Sequence, residues 1–352
     1  MGSAGACWVG WTPTSPSGWF RRMTTAAVAR RLRLSPCVLL VLLAAALLGA
    51  ADSAGPLPAV PLADTGQPLA PGLRLRCISD EYAAAGNAAV AHLVALPLDW
   101  QPGRRYPVLV EYAPNRYQGP GAFGPLTCTG TTADCRMGFY LAGASGRLEC
   151  GSGYLWVCLP LIACDRAAPD DRARHREAAT WWGMAGSGPA VVADAVGQRL
   201  AAEYLRANLA RICARFGGDP GRVALLGFSR GAIAGGWIGR SDDATAALFR
   251  GFVLHSWHDG MSNPICPPDP GQQRLHRALG RPSFLSCGDH DNGRAASEEA
   301  DRLLRALGAD SELHVVPDLP HSDEWVLGRS PGHLAVRDAA RAFLGRVTAA
   351  RP

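Results

Sequence analysis

The stretch Arg222-Val223-Ala224-Leu225-Leu226-Gly227-Phe228-Ser229-Arg230-Gly231 constrains the fold more than any other part of the chain. Val223–Leu226 is a short apolar run suited to a buried strand. It leads straight into Gly-x-Ser-x-Gly, and then into small and apolar residues that can open a helix. A serine at such a sharp strand-to-helix turn is exposed, and small flanking residues allow close backbone approach. The helix start below it favours developing negative charge, and the Arg230 amide can face an oxyanion. The bare pentapeptide would suit an ordinary tight turn; its setting makes Ser229 a candidate nucleophile.

The rest of the body alternates in the way this turn requires. Strands are expected at Tyr106–Tyr112, Tyr154–Leu161, Gly251–His255, Ser283–Ser286 and Glu312–Val316, with Leu73–Cys77 as a first strand. Glu81–Leu96 is expected to give a helix or turn and then an edge strand. Apolar residues recur at helical spacing over Pro189–Phe216, and Gly217–Gly221 should end that helix as a turn. Further helices are expected from Arg230, around Arg274–Leu279, over Ala295–Leu307 and over Leu334–Val347. The alternation predicts an α/β fold with a mostly parallel sheet and helices on both faces. Ligands of such sheets bind at the carboxyl ends of the strands. Two of those ends carry chemistry: Gly288-Asp289-His290-Asp291 offers two carboxylates, and Pro320-His321-Ser322 a histidine. His314, inside a strand, reads as structural.

Gly227–Gly231, with Asp219-Pro220-Gly221-Arg222 before it, resembles the α/β-hydrolase superfamily, in particular secreted carboxylic-ester hydrolases of the polyhydroxyalkanoate depolymerase and feruloyl or acetylxylan esterase type. The likeness runs from about Arg105 to the C-terminus. It implies Ser229 as nucleophile, His321 as the base on the loop after the last strand, and a carboxylate between them in chain order. Relatives often have Gly-x-x-Asp after the preceding strand, which maps onto Gly288 and Asp291. Asp289 remains an alternative, and Asp259 in His255-Ser256-Trp257-His258-Asp259 a third. Where relatives often carry His-Gly, this chain has Glu111-Tyr112. Pro114 has no N–H, so the second oxyanion donor falls to Ala113, Asn115 or a neighbour, with Asn115 favoured and the Arg230 amide as the first. The Arg230 side chain could bind an acid group or pair with a carboxylate.

Trp257 and Trp325 flank these loops and could contact an acyl, phenolic or sugar group; ordinary packing explains them equally well. Trp181 and Trp182 show no regular core spacing. Ser241-Asp242-Asp243 reads as a helix cap. No cofactor or metal is expected, because there is no Cys-x-x-Cys pair and no histidine at ligand spacing. The expected substrate is a small-molecule or carbohydrate-linked ester, with a peptidase, an acyltransferase or a catalytically silent binding protein as alternatives.

All 35 basic residues are arginine. Residues 1–51 hold Arg21, Arg22, Arg30, Arg31 and Arg33 and no acidic residue, so the remainder is balanced and suggests no nucleic-acid partner. Cys37–Ala51 is apolar but short for a membrane span, so residues 1–51 read as a signal peptide, or alternatively a signal anchor, with Met23 a possible start. Residues 52–72 read as a Pro/Gly-containing linker and 73–352 as one domain with a Gly/Cys-rich insertion around 118–153. A secreted or extracytoplasmic protein follows, membrane-attached only if the leader is retained. Nine cysteines beyond the leader suit several disulfides with one thiol left buried and free.

Overall fold

The computed structural model describes residues 66–116, 129–143, 153–165, 167–179, 195–256 and 273–350. The expected leader, most of the linker, much of the 118–153 insertion, Trp181, Trp182, Trp257, His258 and Asp259 lie outside the described residues.

Tyr106–Tyr112 is buried at every position, as a strand covered on both faces must be, and it lies inside an eight-stranded sheet. In chain order the elements are β1 (Arg74–Cys77), α1 (Asp80–Ala84), β2 (His92–Ala95), β3 (Tyr106–Tyr112), α2 (Met137–Leu141) and β4 (Leu155–Leu159). A two-stranded ribbon follows, β5 (Ile162–Ala163) with β6 (Arg176–Glu177), and then α3 (Ala195–Phe216). The elbow joins β7 (Gly218–Phe228) to α4 (Arg230–Gly239). After it come α5 (Asp243–Ala246), β8 (Gly251–His255), α6 (Gln273–His276), β9 (Ser283–Gly288), α7 (Arg294–Ala306), β10 (Ser311–Val316) and α8 (Pro331–Val347).

The sheet order is β1-β2-β4-β3-β7-β8-β9-β10. Only β2 runs against its neighbours, antiparallel to β1 and β4; the pairs from β4 through β10 are parallel. This is an α/β fold with the strand order of the α/β-hydrolases. Alternate residues build two cores. Val108, Val110, Tyr112 and Leu225 face α3, α4 and α7 on one side. Leu109, Ala224 and Leu226 face α2 and α8 on the other. Helices therefore cover both faces. No helix among the described residues is long and apolar enough to cross a membrane.

Three local expectations are corrected. β2 is not an edge strand: it lies fully buried between β1 and β4, and β1 forms the edge. The turn expected at 217–221 is mostly strand. Tyr106 pairs with Gly218 and Val108 with Val223, so the intervening residues bulge out of β7 instead of reversing the chain. Finally, one disulfide, Cys135–Cys158, is formed among the described residues, whereas Cys77, Cys213 and Cys287 are free thiols, more than the single one expected. Cys77, Cys213 and Cys287 are buried on core elements, where a thiol packs as a small apolar group. Burial pushes the Cys213 thiol up to about 11 and that of Cys287 to about 12.

Candidate active site

Ser229 stands between β7 and α4 with φ 55° and ψ −122°, a conformation that non-glycine residues rarely adopt. Its amide donates to His255 O at 2.9 Å. The glycines on either side make the turn possible. A Cβ on Gly227 would lie 2.1 Å from Gly231 O, and one on Gly231 would lie 2.1 Å from Tyr112 O. A side chain at Gly227 would push α4 away from β7, and one at Gly231 would push it off the end of β3.

Four neighbouring strands end in one hydrogen-bonded chain. His321, on the loop after β10, has Nε2 2.8 Å from Ser229 Oγ and Nδ1 2.9 Å from Asp291 Oδ1. A carboxylate can only accept, so Nδ1 carries the proton and Nε2 is left to take that of Ser229. Asp291, just beyond β9, also accepts from Gly293 N at 2.7 Å and from the Ser256 hydroxyl after β8. Burial works to raise the Asp291 pKa, but the bond to His321, its charge and the two further donors outweigh this and hold it down to about 2.

Asp289, the alternative acid, faces elsewhere. Its Oδ1 accepts from Leu319 N at 3.1 Å, and amide bonds from Asp318 and Leu319 keep its pKa low. It therefore pins the loop that presents His321. Asp289, His290 and Asp318 bring possible metal-ligand atoms within 4.8 Å of one another on the surface beside that loop. With one carboxylate already used by backbone amides, the cluster is explained as a loop clasp.

The Arg230 side chain is turned into the protein, and its charge acts on the Glu177 carboxylate. It is 1% exposed, and its guanidinium reaches four carbonyls: Ala113 O at 3.4 Å, Pro114 O at 2.8 Å, Gly130 O at 2.6 Å and Ala178 O at 3.1 Å. It ties the loop after β3 to two other segments, beside its own backbone amide. Asn115, on that loop, is partly buried, and its Oδ1 has no hydrogen-bond partner among the described residues. Trp325 is corrected from a substrate contact to a core residue. It is fully buried with Val326 and Phe343, its ring 5.4 Å from that of His255, and it offers no surface to a ligand. Trp257 lies outside the described residues. His314 stacks on Phe284 at 4.5 Å within the sheet, and Asp242 Oδ1 caps α5 by accepting Thr245 N at 2.7 Å.

Several residues around the site escaped the sequence reading. His255 is buried beneath His321. Its Nε2 donates to Ser322 O at 2.8 Å, so Nδ1 must accept from Ser286 Oγ, also at 2.8 Å. Burial lowers its pKa to about 4 and keeps it neutral. The only sequence signal for Ser256 is its place just past an apolar strand. The sequence marked Glu111 only as a departure from the His-Gly of relatives; it lies buried in β3 and accepts from Trp156 Nε1 at 2.7 Å and Gly138 N at 3.0 Å.

Neither protein-family models nor curated proteins match this chain. Among solved structures it is similar in fold to carboxyl esterase 2 from the mycorrhizal fungus Tuber melanosporum, with 15% identity, 90% of this chain and 100% of that one covered, and a TM-score of 0.49. An esterase from Rhizomucor miehei is similar at 12% identity, with coverage of 92% and 95% and a TM-score of 0.47. A bacterial heroin esterase gives 16%, 90% and 92%, and 0.48. The chemistry must be read from this chain's own residues.

Proposed function

We propose that the chain is a serine hydrolase of carboxylic esters. The observation that carries this reading is the unbroken chain of hydrogen bonds from Ser229 through His321 to Asp291. Ser229 Oγ attacks the ester carbonyl while His321 Nε2 takes its proton; the same nitrogen then protonates the departing alcohol. Water, deprotonated by His321, releases the acyl group from Ser229. Asp291 holds one imidazole tautomer and stabilises the imidazolium. The Arg230 amide and a donor from the loop at Ala113–Asn115 would receive the oxyanion. No metal or cofactor takes part in these steps. The substrate is a small or carbohydrate-linked ester outside the cytosol, reached after removal of the apolar leader near Ala51.

A fluorophosphonate probe should add once to the wild type and not to Ser229→Ala. A panel of acetyl, feruloyl and short aryl esters beside blocked peptides then reads the substrate class. Serine-dependent cleavage confined to peptides would replace the esterase reading with a peptidase, and a folded protein that neither labels nor turns over would leave a binding protein.

A further inference from the structure

The loop carrying His321 is held on two sides. On one, Ser322 O is pinned by buried His255. On the other, Asp323, only 3% exposed, receives a two-pronged contact from Arg136: Nε lies 3.1 and 3.0 Å from Oδ1 and Oδ2, and Nη2 lies 2.5 Å from Oδ1. Such a fork fixes orientation as well as distance. A largely buried ion pair gives little net stability over an apolar pair of the same shape, so its worth lies in the geometry it enforces.

Arg136 is itself held from both neighbours. Cys135, on one side, is bonded to Cys158 near the C-terminal end of β4. On the other side α2 begins, and Gly138 N is received by buried Glu111 of β3. The guanidinium thus reaches the His321 loop from a backbone fastened to two central strands, once covalently.

We infer that Arg136 is a positioning residue for His321, acting through Asp323, and that the Cys135–Cys158 disulfide keeps it in register, so that the oxidation state of this disulfide sets the turnover rate. The inference rests on His321 being the base. A dithiol such as dithiothreitol supplies the two electrons and two protons of the reduction. The S–S bond breaks, Cys135 and Cys158 become thiols, and the reagent closes into its own cyclic disulfide.

The test compares wild type with Arg136→Met, Arg136→Lys, Asp323→Asn and the double variant Cys135→Ala/Cys158→Ala. Turnover is expressed per site titrated by fluorophosphonate, and amide hydrogen exchange is followed over residues 317–327. Arg136→Met and Asp323→Asn should lower kcat per titrated site about 10- to 100-fold with little change in KM, the scale expected of a misplaced catalytic group. Arg136→Lys, which keeps the charge and loses the fork, should recover only part. Exchange over 317–327 should quicken in Arg136→Met and Asp323→Asn. Dithiothreitol should slow the wild type as the cysteine double variant does, and should leave that variant unchanged. Adding Arg136→Met to the cysteine variant should cost nothing more, since the two act on one path.

Unchanged kcat per titrated site in Arg136→Met and Asp323→Asn would overturn the inference, as would losses that multiply in the combined variant. If the wild type takes up no fluorophosphonate, the ester-hydrolase reading fails separately. Hydrogen exchange then decides: equal protection of 317–327 in wild type and Arg136→Met refutes the clamp, and faster exchange in the variant upholds it.

Discussion

Asp291 and Glu111 are both enclosed carboxylates on the same sheet, and they sit at opposite ends of the acidity range open to such groups. Burial is the largest single influence on each and pushes each upward. Asp291 nevertheless falls to about 2, whereas Glu111 rises to about 7. The difference lies in the partners. Asp291 faces an imidazole that can carry positive charge, with a hydroxyl and an amide to fill its remaining lone pairs. Glu111 receives neutral N–H groups from Trp156, Gly138 and Met137, and feels the negative charge of Asp323 as well. Enclosure alone therefore does not decide whether a carboxylate in this fold is charged; a counter-charge does. One carboxylate is kept ionised beside the His321 imidazole; the other holds helix α2 against β3.

The largest expected effect comes from removing the charged member. Asp291→Asn keeps the shape but presents an amide to Nδ1, which favours the wrong imidazole tautomer. Turnover should fall by up to about 10⁴-fold, the loss seen when a serine protease triad is altered in this way. Asp289→Asn should cost far less, because it disturbs a loop clasp and leaves the His321–Asp291 bond in place. Steady-state kinetics on the two variants, checked for folding by circular dichroism, rank them. If Asp289→Asn proved the more damaging, the acid would have to be reassigned.

A smaller effect is expected at Ser256, whose hydroxyl supplies one of the neutral donors to Asp291. A hydrogen bond to a charged group contributes about 1.5–3 kcal/mol, so Ser256→Ala should lower kcat roughly ten-fold or somewhat more, with KM nearly unchanged. Ser256 has φ 54°, and Ser256→Gly removes the hydroxyl while easing that backbone conformation. Similar kinetics for the alanine and glycine variants would assign the loss to the hydrogen bond. Recovery in the glycine variant alone would assign it to backbone strain.

The contrast also separates what the sequence carries from what it does not. The alternation of strands and helices, the elbow at Ser229 and the loop positions of His321 and Asp291 were legible because each depends on local pattern: an apolar run, a glycine pair, a place after a strand. Choosing between Asp291 and Asp289 was not, since two positions along a loop reverse what a carboxylate faces and only the path of the loop at 317–323 settles it. Glu111 was hidden for a similar reason. A glutamate within YPVLVEY looks like a strand end nearing solvent, yet α2, arriving 26 residues later, covers it. Trp325 misled in the opposite direction, because closeness to His321 in sequence says nothing of which way a short turn directs a side chain. The direction of the Arg230 side chain was not legible, because the carbonyls it reaches lie on three separate segments.

The subtlest consequence falls on stability. Glu111 has a folded-state pKa of about 7 against an ordinary value of 4.5, so the folded protein binds this proton more tightly than the unfolded chain. Its contribution is fully present below about pH 4.5 and is lost as pH rises through about 7. A gap of this size corresponds to roughly 3 kcal/mol at most. Glu111→Gln retains an oxygen to receive Trp156 Nε1 and Gly138 N but has no charge to bury. Its new amide hydrogens need partners, and that cost of about 1–3 kcal/mol is independent of pH. The test therefore lies in the shape of the difference between variant and wild type, not in its level. His255 is held neutral down to about 4, so its own contribution fades as pH falls from about 6.5, within much of the same window. That term is present in both proteins and cancels. Urea unfolding at a series of pH values should show Glu111→Gln gaining on the wild type between pH 4.5 and 7 and holding a constant offset above. A flat difference across that range would mean that Glu111 is already ionised in the folded protein, and that neutral N–H donors can do for a buried carboxylate what His321 does for Asp291.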